Sequence, residues 1–303
     1  MTRGNGSRLA DLGYRAGWRL ARSVPEPLAA RAFDFGADRA ARGAGPAAAQ
    51  LRRNLARVVP GAPAEELDQL VRRGLRSYAR YWREAFRLPS MDHAALHARL
   101  DRVAEGAAHL DAALAAGRGV VVVLSHSGNW DMAGVWLVGR SGEFSTVAER
   151  LRPEALYQQF EAYRRSLGFD VVPLTGEAQS PTLRLARRLR SGGVVCLLAD
   201  RDLTDSGVTV ELFGAPARFP SGPARLAAAT GAALLPAGCW FAPDGWGLRL
   251  HPPVPVHGRS GVPGATQAVA DRFAADIAEH PEDWHMLQPL WLADLPTATA
   301  REG

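Results

Sequence analysis

From residue 120 onward, strand-length apolar runs alternate with helical patterns, and this alternation constrains the fold more than any other feature of the chain. The runs fall at 120–124, 144–148, 171–174, 194–199, 232–241 and 247–251. Helical spacing of apolar residues fills 129–139, 153–167, 180–190 and 222–230, and a closing helix is expected over 265–280. Strands separated by helices must run parallel, with the connecting helices packed on the sheet faces. The expected fold is therefore α/β: a central, mostly parallel, twisted sheet covered by helices on both faces. The last two runs have no helix between them, which predicts an antiparallel edge.

The N-terminal third reads as helix throughout. Segments 47–59, 64–88 and 92–117 carry helical periodicity, and Leu67, Leu70, Val71, Leu75, Tyr78, Tyr81, Trp82 and Phe86 mark the second. Ahead of them, Leu9, Leu12, Gly13, Ala16 and Leu20 line one helical face, with Arg8, Arg15, Arg19 and Arg22 elsewhere and Tyr14 and Trp18 as amphipathic aromatics. A further helix, about 28–42, follows Pro25-Glu26-Pro27 and carries Phe33 and Phe35. Two readings stand for these basic amphipathic helices: packing on the domain with arginines in water, or lying in a lipid interface. The expected organisation is an N-terminal amphipathic extension over 1–45 and a single α/β domain over 46–303. No run reaches the roughly 20 apolar residues of a spanning helix. Nor is a signal peptide evident in residues 1–30, so membrane work would be done from the surface.

The run Val-Leu-Ser-His-Ser-Gly-Asn-Trp-Asp (123–131) carries the chemistry. His126 follows a buried strand and precedes a helix start, where α/β proteins place their sites. Asp131 follows after four intervening residues. On a strand–turn–helix path that spacing can return the carboxylate to the imidazole, fixing the tautomer and freeing the other nitrogen as a base. Ser125, Asn129 and Trp130 surround the pair and are expected to contact substrate. Beyond the next strands lie Glu149 and Arg150, then Arg164 and Arg165, then Asp200-Arg201-Asp202. Asp200 follows a buried strand and can bond His126 or an incoming hydroxyl. Arg164 can steady an oxyanion or a phosphate, or lie on a solvated helix face. The loop 213–224 is rich in Gly and Pro, with Ser221 placed to cap the next helix. Trp136 and Leu137 either line an apolar groove or belong to the core.

Composition excludes more than it specifies. With 47% hydrophobic and 22% charged residues the chain is globular. All 36 basic residues are arginine and the net charge is +5, so anionic surfaces attract it. Abundant Ala, Gly and Pro mark a GC-rich composition that accounts for most of the arginines. The two cysteines, Cys196 and Cys239, sit in apolar runs and form neither a disulfide framework nor a zinc pattern. His126 has no second ligand at metal-binding spacing, so no metal is expected. There is no Gly-x-Ser-x-Gly elbow, no Walker loop and no complete dinucleotide fingerprint, hence no bound cofactor. Nucleic-acid binding would rest on charge alone and is not expected.

Taken together, His-Ser-Gly-Asn-Trp-Asp (126–131), Glu149-Arg150, Arg164, Ala-Asp-Arg-Asp-Leu (199–203) and Phe-Gly-x-Pro-Ala…Pro-x-Gly-Pro-Ala (213–224) resemble the bacterial lysophospholipid and lipid A acyltransferase family. Gly-Tyr-Arg-Ala-Gly-Trp-Arg-Leu (13–20) and Pro-Glu-Asp-Trp-His-Met-Leu-Gln-Pro-Leu-Trp (281–291) look like its actinobacterial phosphatidylinositol mannoside branch. The resemblance implies transfer of a long acyl group, typically palmitoyl, from acyl-CoA. The implied acceptor is the 6-hydroxyl of the 2-linked mannose of phosphatidylinositol mono- or dimannoside, reached at the cytoplasmic face of the inner membrane by a peripheral enzyme. It implies His126 as general base, Asp131 as its orienting carboxylate, Arg164 as electrostatic support, and Glu149 and Asp200 holding the acceptor or polar groups near His126. It also favours lipid contact for the N-terminal helices. A lysophospholipid or lipid A-type acceptor, and a non-catalytic membrane-binding protein, are the competing readings.

Overall fold

The structure is a computed structural model that describes residues 22–43, 45–148, 154–175, 180–202 and 207–295. The first amphipathic pattern, including 13–20, and Glu149 with Arg150 lie outside the described residues.

Strand β2 (Val120–Leu124) is buried at all five positions, as a near-continuous valine run in the middle of a parallel sheet must be. Burying side chains of this size contributes roughly 1.5–3 kcal/mol each before the entropy cost of ordering them. Around β2 lie β3 (Phe144–Ala148), β4 (Phe169–Pro173), β5 (Val194–Leu198), β8 (Ala233–Ala242) and β9 (Gly245–Leu250). With a two-residue β1 (Ala104–Glu105), they form a seven-stranded sheet in the order β1-β9-β8-β2-β5-β3-β4. Every neighbouring pair is parallel except β8–β9, the expected antiparallel edge.

Alternate residues of β2 feed two cores. Val121 and Val123 face a layer that includes α8 (Pro181–Arg190), α9 (Gly222–Thr230) and α10 (Val262–Glu279). Val120, Val122 and Leu124 face α3 (Ala64–Arg87), α4 (His93–Val103), α5 (Ala107–Ala115), α6 (Trp130–Ser141) and α7 (Glu154–Ser166). Trp136 and Leu137 are buried in this second core, which settles their alternative.

Two local expectations need correction. The pattern over 92–117 is not one helix: Asp92 caps α4, the chain then extends as β1 against β9, and α5 begins after Gly106. Gly106 has φ +67°, and a Cβ there would sit 2.1 Å from the Leu250 carbonyl oxygen, so the sheet edge and not helix propensity decides this segment. The stretch read as a loop over 213–224 contains half of a hairpin. Strands β6 (Val208–Leu212) and β7 (Ala215–Phe219) pair across Phe213-Gly214, both at positive φ. Pro216 hid the strand, because proline normally argues against a ladder. Ser221 does precede α9, but its side chain makes no capping bond.

The N-terminal helices dock on α3. Helix α1 (Glu26–Arg42) places Asp38 between Arg72 and Arg76, each bonding both carboxylate oxygens at 2.5–2.8 Å. This holds the Asp38 carboxyl well below the usual carboxylate range. Helix α2 (Pro46–Val58) adds Leu51 and Leu55 to a small separate core with Leu67, Leu70 and Val71. Asp38→Asn should speed hydrogen exchange across α1 while leaving β2 unchanged, since only α1 depends on the double fork.

Candidate active site

The register of the sheet assembles the site. Strands β2 and β5 pair in parallel with Val120 opposite Val194 and Leu124 opposite Leu198. The Ala199 amide continues the ladder to the Leu124 carbonyl at 2.8 Å. Two residues past each strand end, His126 and Asp200 therefore emerge side by side at the carboxyl edge of the sheet.

Their contact is direct. His126 Nδ1 lies 2.5 Å from Asp200 Oδ1, and the His126 backbone amide donates to Oδ2 at 2.9 Å. The Trp284 indole N–H donates to the same Oδ2 at 3.1 Å. Burial alone would raise the Asp200 pKa, but the histidine and the donated hydrogen bonds outweigh it and hold the carboxyl below its ordinary value. An ionised Asp200 accepts only, so Nδ1 carries the proton and Nε2 carries the lone pair of the neutral ring. No described side chain bonds Nε2. The ring is 26% exposed and lines a cavity of about 280 Å³ whose wall is mainly apolar, including Trp82, Phe144, Phe160, Phe169 and Val171.

The carboxylate on the imidazole is thus Asp200, not Asp131 as the spacing led us to expect. Asp131 occupies the first turn of α6 and is buried. Its Oδ2 accepts from the hydroxyls of Tyr81 (3.0 Å) and Tyr163 (3.3 Å), and its Oδ1 pairs with Arg164 Nε at 3.3 Å. The turn Ser127-Gly128-Asn129 sends α6 away from His126, so the Asp131 side chain meets α3 and α7 instead. Burial disfavours the Arg164 charge, yet Asp131 and the tyrosines over-compensate and its pKa is raised. Burial likewise pushes the Tyr81 and Tyr163 hydroxyls well above their usual range. Tyr81 in turn stacks on Trp130 with ring centroids 3.9 Å apart, and Trp130 meets His126 edge-on at 5.6 Å. Arg164, Asp131 and Trp130 all line the same cavity as His126.

Ser125 and Asn129 face inward. The Ser125 and Ser127 hydroxyls lie 2.9 Å apart, and Asn129 caps α6 through the Met132 amide while donating to Glu84 at 2.8 Å. Glu84 also accepts from Arg80 and Trp246, both at 2.8 Å. Between these anchors Gly128 has φ +55°, and a Cβ there would lie 2.7 Å from the Cys239 backbone. Only glycine fits, which explains the turn that ends at the helix cap. Cys239 is buried and bonds the Ser127 carbonyl, whereas Cys196 is half-buried and lines the cavity.

Sequence reasoning missed the segment behind this turn. Residues 283–285 run antiparallel to 126–128: Gly128 N–H donates to Asp283 O at 2.9 Å, and His285 N–H donates to His126 O at 2.7 Å. Asp283 accepts from Ser77 and the Phe241 amide, and His285 Nε2 lies 2.8 Å from the Ser77 hydroxyl. The only signal in the sequence was the resemblance of 281–291. Among the described residues there is no group of three or more His, Cys, Asp or Glu able to hold a metal.

Burial pushes the His285 imidazole down from 6.5 to about 3, with a smaller contribution from His126. The folded protein keeps this ring neutral while the unfolded chain protonates it, so stability is lost as pH falls from about 6.5 toward 3. Urea unfolding of His285→Gln should accordingly show a shallower loss of stability with acid over that window than the unmodified chain.

Comparison with known proteins gives concordant matches. The family model for the bacterial lipid A biosynthesis acyltransferase matches residues 8–293. The chain is 58% identical over 290 residues to a phosphatidylinositol mannoside acyltransferase of Mycolicibacterium smegmatis, covering 96% of this chain and 94% of that protein. It is also 58% identical over 285 residues to the phosphatidylinositol mannoside acyltransferase of Mycobacterium tuberculosis (strain CDC 1551 / Oshkosh), covering 94% and 89%.

Proposed function

The chain belongs to the bacterial lipid A biosynthesis acyltransferase family and is an O-acyltransferase, and we propose that it moves a long acyl group, palmitoyl by preference, from acyl-CoA to a mannose hydroxyl of phosphatidylinositol mono- or dimannoside. The observation that carries this reading is His126, pinned at Nδ1 by Asp200 and facing an apolar cavity through its other edge. The names of the relatives above supply the acceptor class; in our reading the oxygen acylated within it is the 6-hydroxyl of the 2-linked mannose, as the sequence resemblance implies.

In this mechanism His126 Nε2 takes the proton of the sugar hydroxyl as that oxygen attacks the thioester carbonyl carbon. Asp200 stabilises the imidazolium that forms. The tetrahedral intermediate collapses with cleavage of the carbon–sulfur bond, and His126 returns its proton to the departing thiolate. The products are the mannosyl ester and free CoA, with no covalent enzyme intermediate. Asp131 and Arg164 act one layer away: their buried pair holds Tyr81, which backs Trp130 against His126. Glu149 belongs with the acceptor contacts in this reading. The apolar cavity takes the acyl chain.

The enzyme works at the cytoplasmic face of the inner membrane, held there by residues 1–45. No helix among the described residues is long and apolar enough to cross a membrane. On α1, Leu28 and Phe35 are 53% and 67% exposed, two turns apart on one face, with exposed Arg31, Arg39 and Arg42 near them. Apolar side chains ringed by arginines suit the surface of an anionic bilayer. Leu28→Glu with Phe35→Glu should cut binding to vesicles containing anionic phospholipid several-fold, while leaving transfer to detergent-dispersed acceptor intact.

Activity is tested with palmitoyl-CoA and phosphatidylinositol dimannoside, with products read by mass spectrometry. His126→Ala should lower the rate at least about a hundredfold, and Asp200→Asn roughly 10²–10⁴-fold, because the imidazolium loses its counter-charge. Asp131→Asn should act through stability, costing about 3–5 kcal/mol by leaving Arg164 unpaired. Absence of acylated mannoside, with transfer instead to a lysophospholipid, would move the acceptor and keep the chemistry. Full activity in His126→Ala would sink the mechanism.

A further inference from the structure

Asp200 is fully buried and receives more than the histidine. Its Oδ1 meets the imidazole, while its Oδ2 is shared by the His126 amide and the Trp284 indole. Trp284 is itself fully buried, its backbone bridges Ser127, and its ring meets Trp291 edge-on at 6.0 Å. An indole offers one donor and no acceptor, so this orientation serves Asp200 alone. We propose that Trp284 is a positioning residue for acyl transfer: its indole N–H fixes the Asp200 carboxylate in the plane that holds His126 and sets how strongly that carboxylate attracts the imidazolium proton. The inference rests on the reading of His126 as general base.

The other charges around His126 are closed on partners of their own. Asp131 is bonded to Arg164 and two tyrosine hydroxyls, and Glu84 to Arg80, Asn129 and Trp246. Asp283 accepts from Ser77 and the Phe241 amide, yet burial raises its carboxyl above the ordinary value, in the unmodified protein and the variants alike. His285 is bonded to Ser77 and stays neutral. Arg201 shares the cavity wall with His126 but is the same in every variant compared below. Of the contacts to Asp200, the indole N–H is the one that a side-chain substitution removes without touching His126.

Removing that donor leaves the carboxylate charge more concentrated on the imidazole. His126 then holds its proton more firmly, and the acid limb of the rate profile moves to higher pH. The variants are Trp284→Phe and Trp284→benzothienylalanine, the second keeping the fused-ring shape without the N–H should phenylalanine fail to fold. Trp291→Phe is the control: it also removes a buried indole donor, but that donor bonds the Leu212 carbonyl at 3.0 Å and not Asp200. Each is assayed for acyl transfer to phosphatidylinositol dimannoside and, without acceptor, for His126-dependent hydrolysis of palmitoyl-CoA. The expected result at position 284 is a kcat lower by roughly tenfold or more, KM for the thioester within about twofold, and an acid limb raised by roughly half a unit or more. Trp291→Phe should lower the melting temperature without moving the limb. Unchanged kcat and limb in the benzothienylalanine protein, or an equal shift in Trp291→Phe, would overturn the proposal. Activity that survives in His126→Ala would instead overturn the reading beneath it, and the two failures are distinct.

Discussion

The hydrogen bond between His126 and Asp200 is the contact around which the rest of the site is arranged, and strand register determines it. The two residues are 74 apart in the chain, and so is every Cα pair between β2 and β5. A slip of one residue would send each side chain of β2 to the opposite face. A valine run buried on both faces does not by itself prevent such a slip; the glycines at its ends do. Gly119 packs on the Leu189 backbone and Gly128 on the Cys239 backbone where no Cβ fits, and so the packing that closes the sheet also aligns His126 with Asp200. Stability and chemistry share one constraint here.

Around that bond the protein buries several charges, and each has a partner. A carboxylate taken from water without compensation would revert to its neutral form. Asp131 is paired with Arg164, Glu84 with Arg80 and two further donors, and Asp276 with Arg249 and His251. The arginines therefore divide into two populations. Some, such as Arg31, Arg39 and Arg42, are exposed, as a compositional bias would place them. Others close specific buried acids with a planar, permanently charged fork, which lysine could not reproduce. The all-arginine composition is compatible with chance on the surface and is used in the interior.

Local patterns made the frame of this fold legible. The positions of β2, β3, β4, β5, β8 and β9, the antiparallel edge and the helices between parallel strands followed from apolar runs and spacing, whereas β1 and the β6–β7 hairpin did not. His126 was legible because a polar residue ended a valine strand at a glycine turn. What the sequence left open was which candidate completes the contact, Asp131 by spacing or Asp200 by its place past a buried strand. Spacing offered Asp131 as the partner of His126, since sequence proximity is all that spacing measures. The structure gives Asp200 instead, because parallel neighbours are remote in the chain. The indole of Trp284 and the carboxylate of Glu84 carry no local signal either: one sits in an irregular segment, the other on a helix whose aromatic stripe reads as packing. Pro216 misled in the opposite sense, masking a hairpin that tolerates proline opposite Glu211.

The assembly of the site from remote segments also bears on how it works. The imidazole comes from residue 126, its carboxylate from 200, and the donor behind that carboxylate from 284. The last of these lies beyond α10 in an irregular segment held by two backbone hydrogen bonds to 126–128, the Asp283 carboxylate, the His285–Ser77 bond and the indole itself. Irregular as it is, the segment is packed: Asp283, Trp284, His285 and Met286 are all buried. The Asp200 carboxylate is therefore met from behind by a donor that is itself held in the core. A base formed by strand register alone would have its partner but not its plane. On the proposed mechanism residues 283–285 supply that plane, and the C-terminal segment then belongs with His126 and Asp200 and not to the packaging around them.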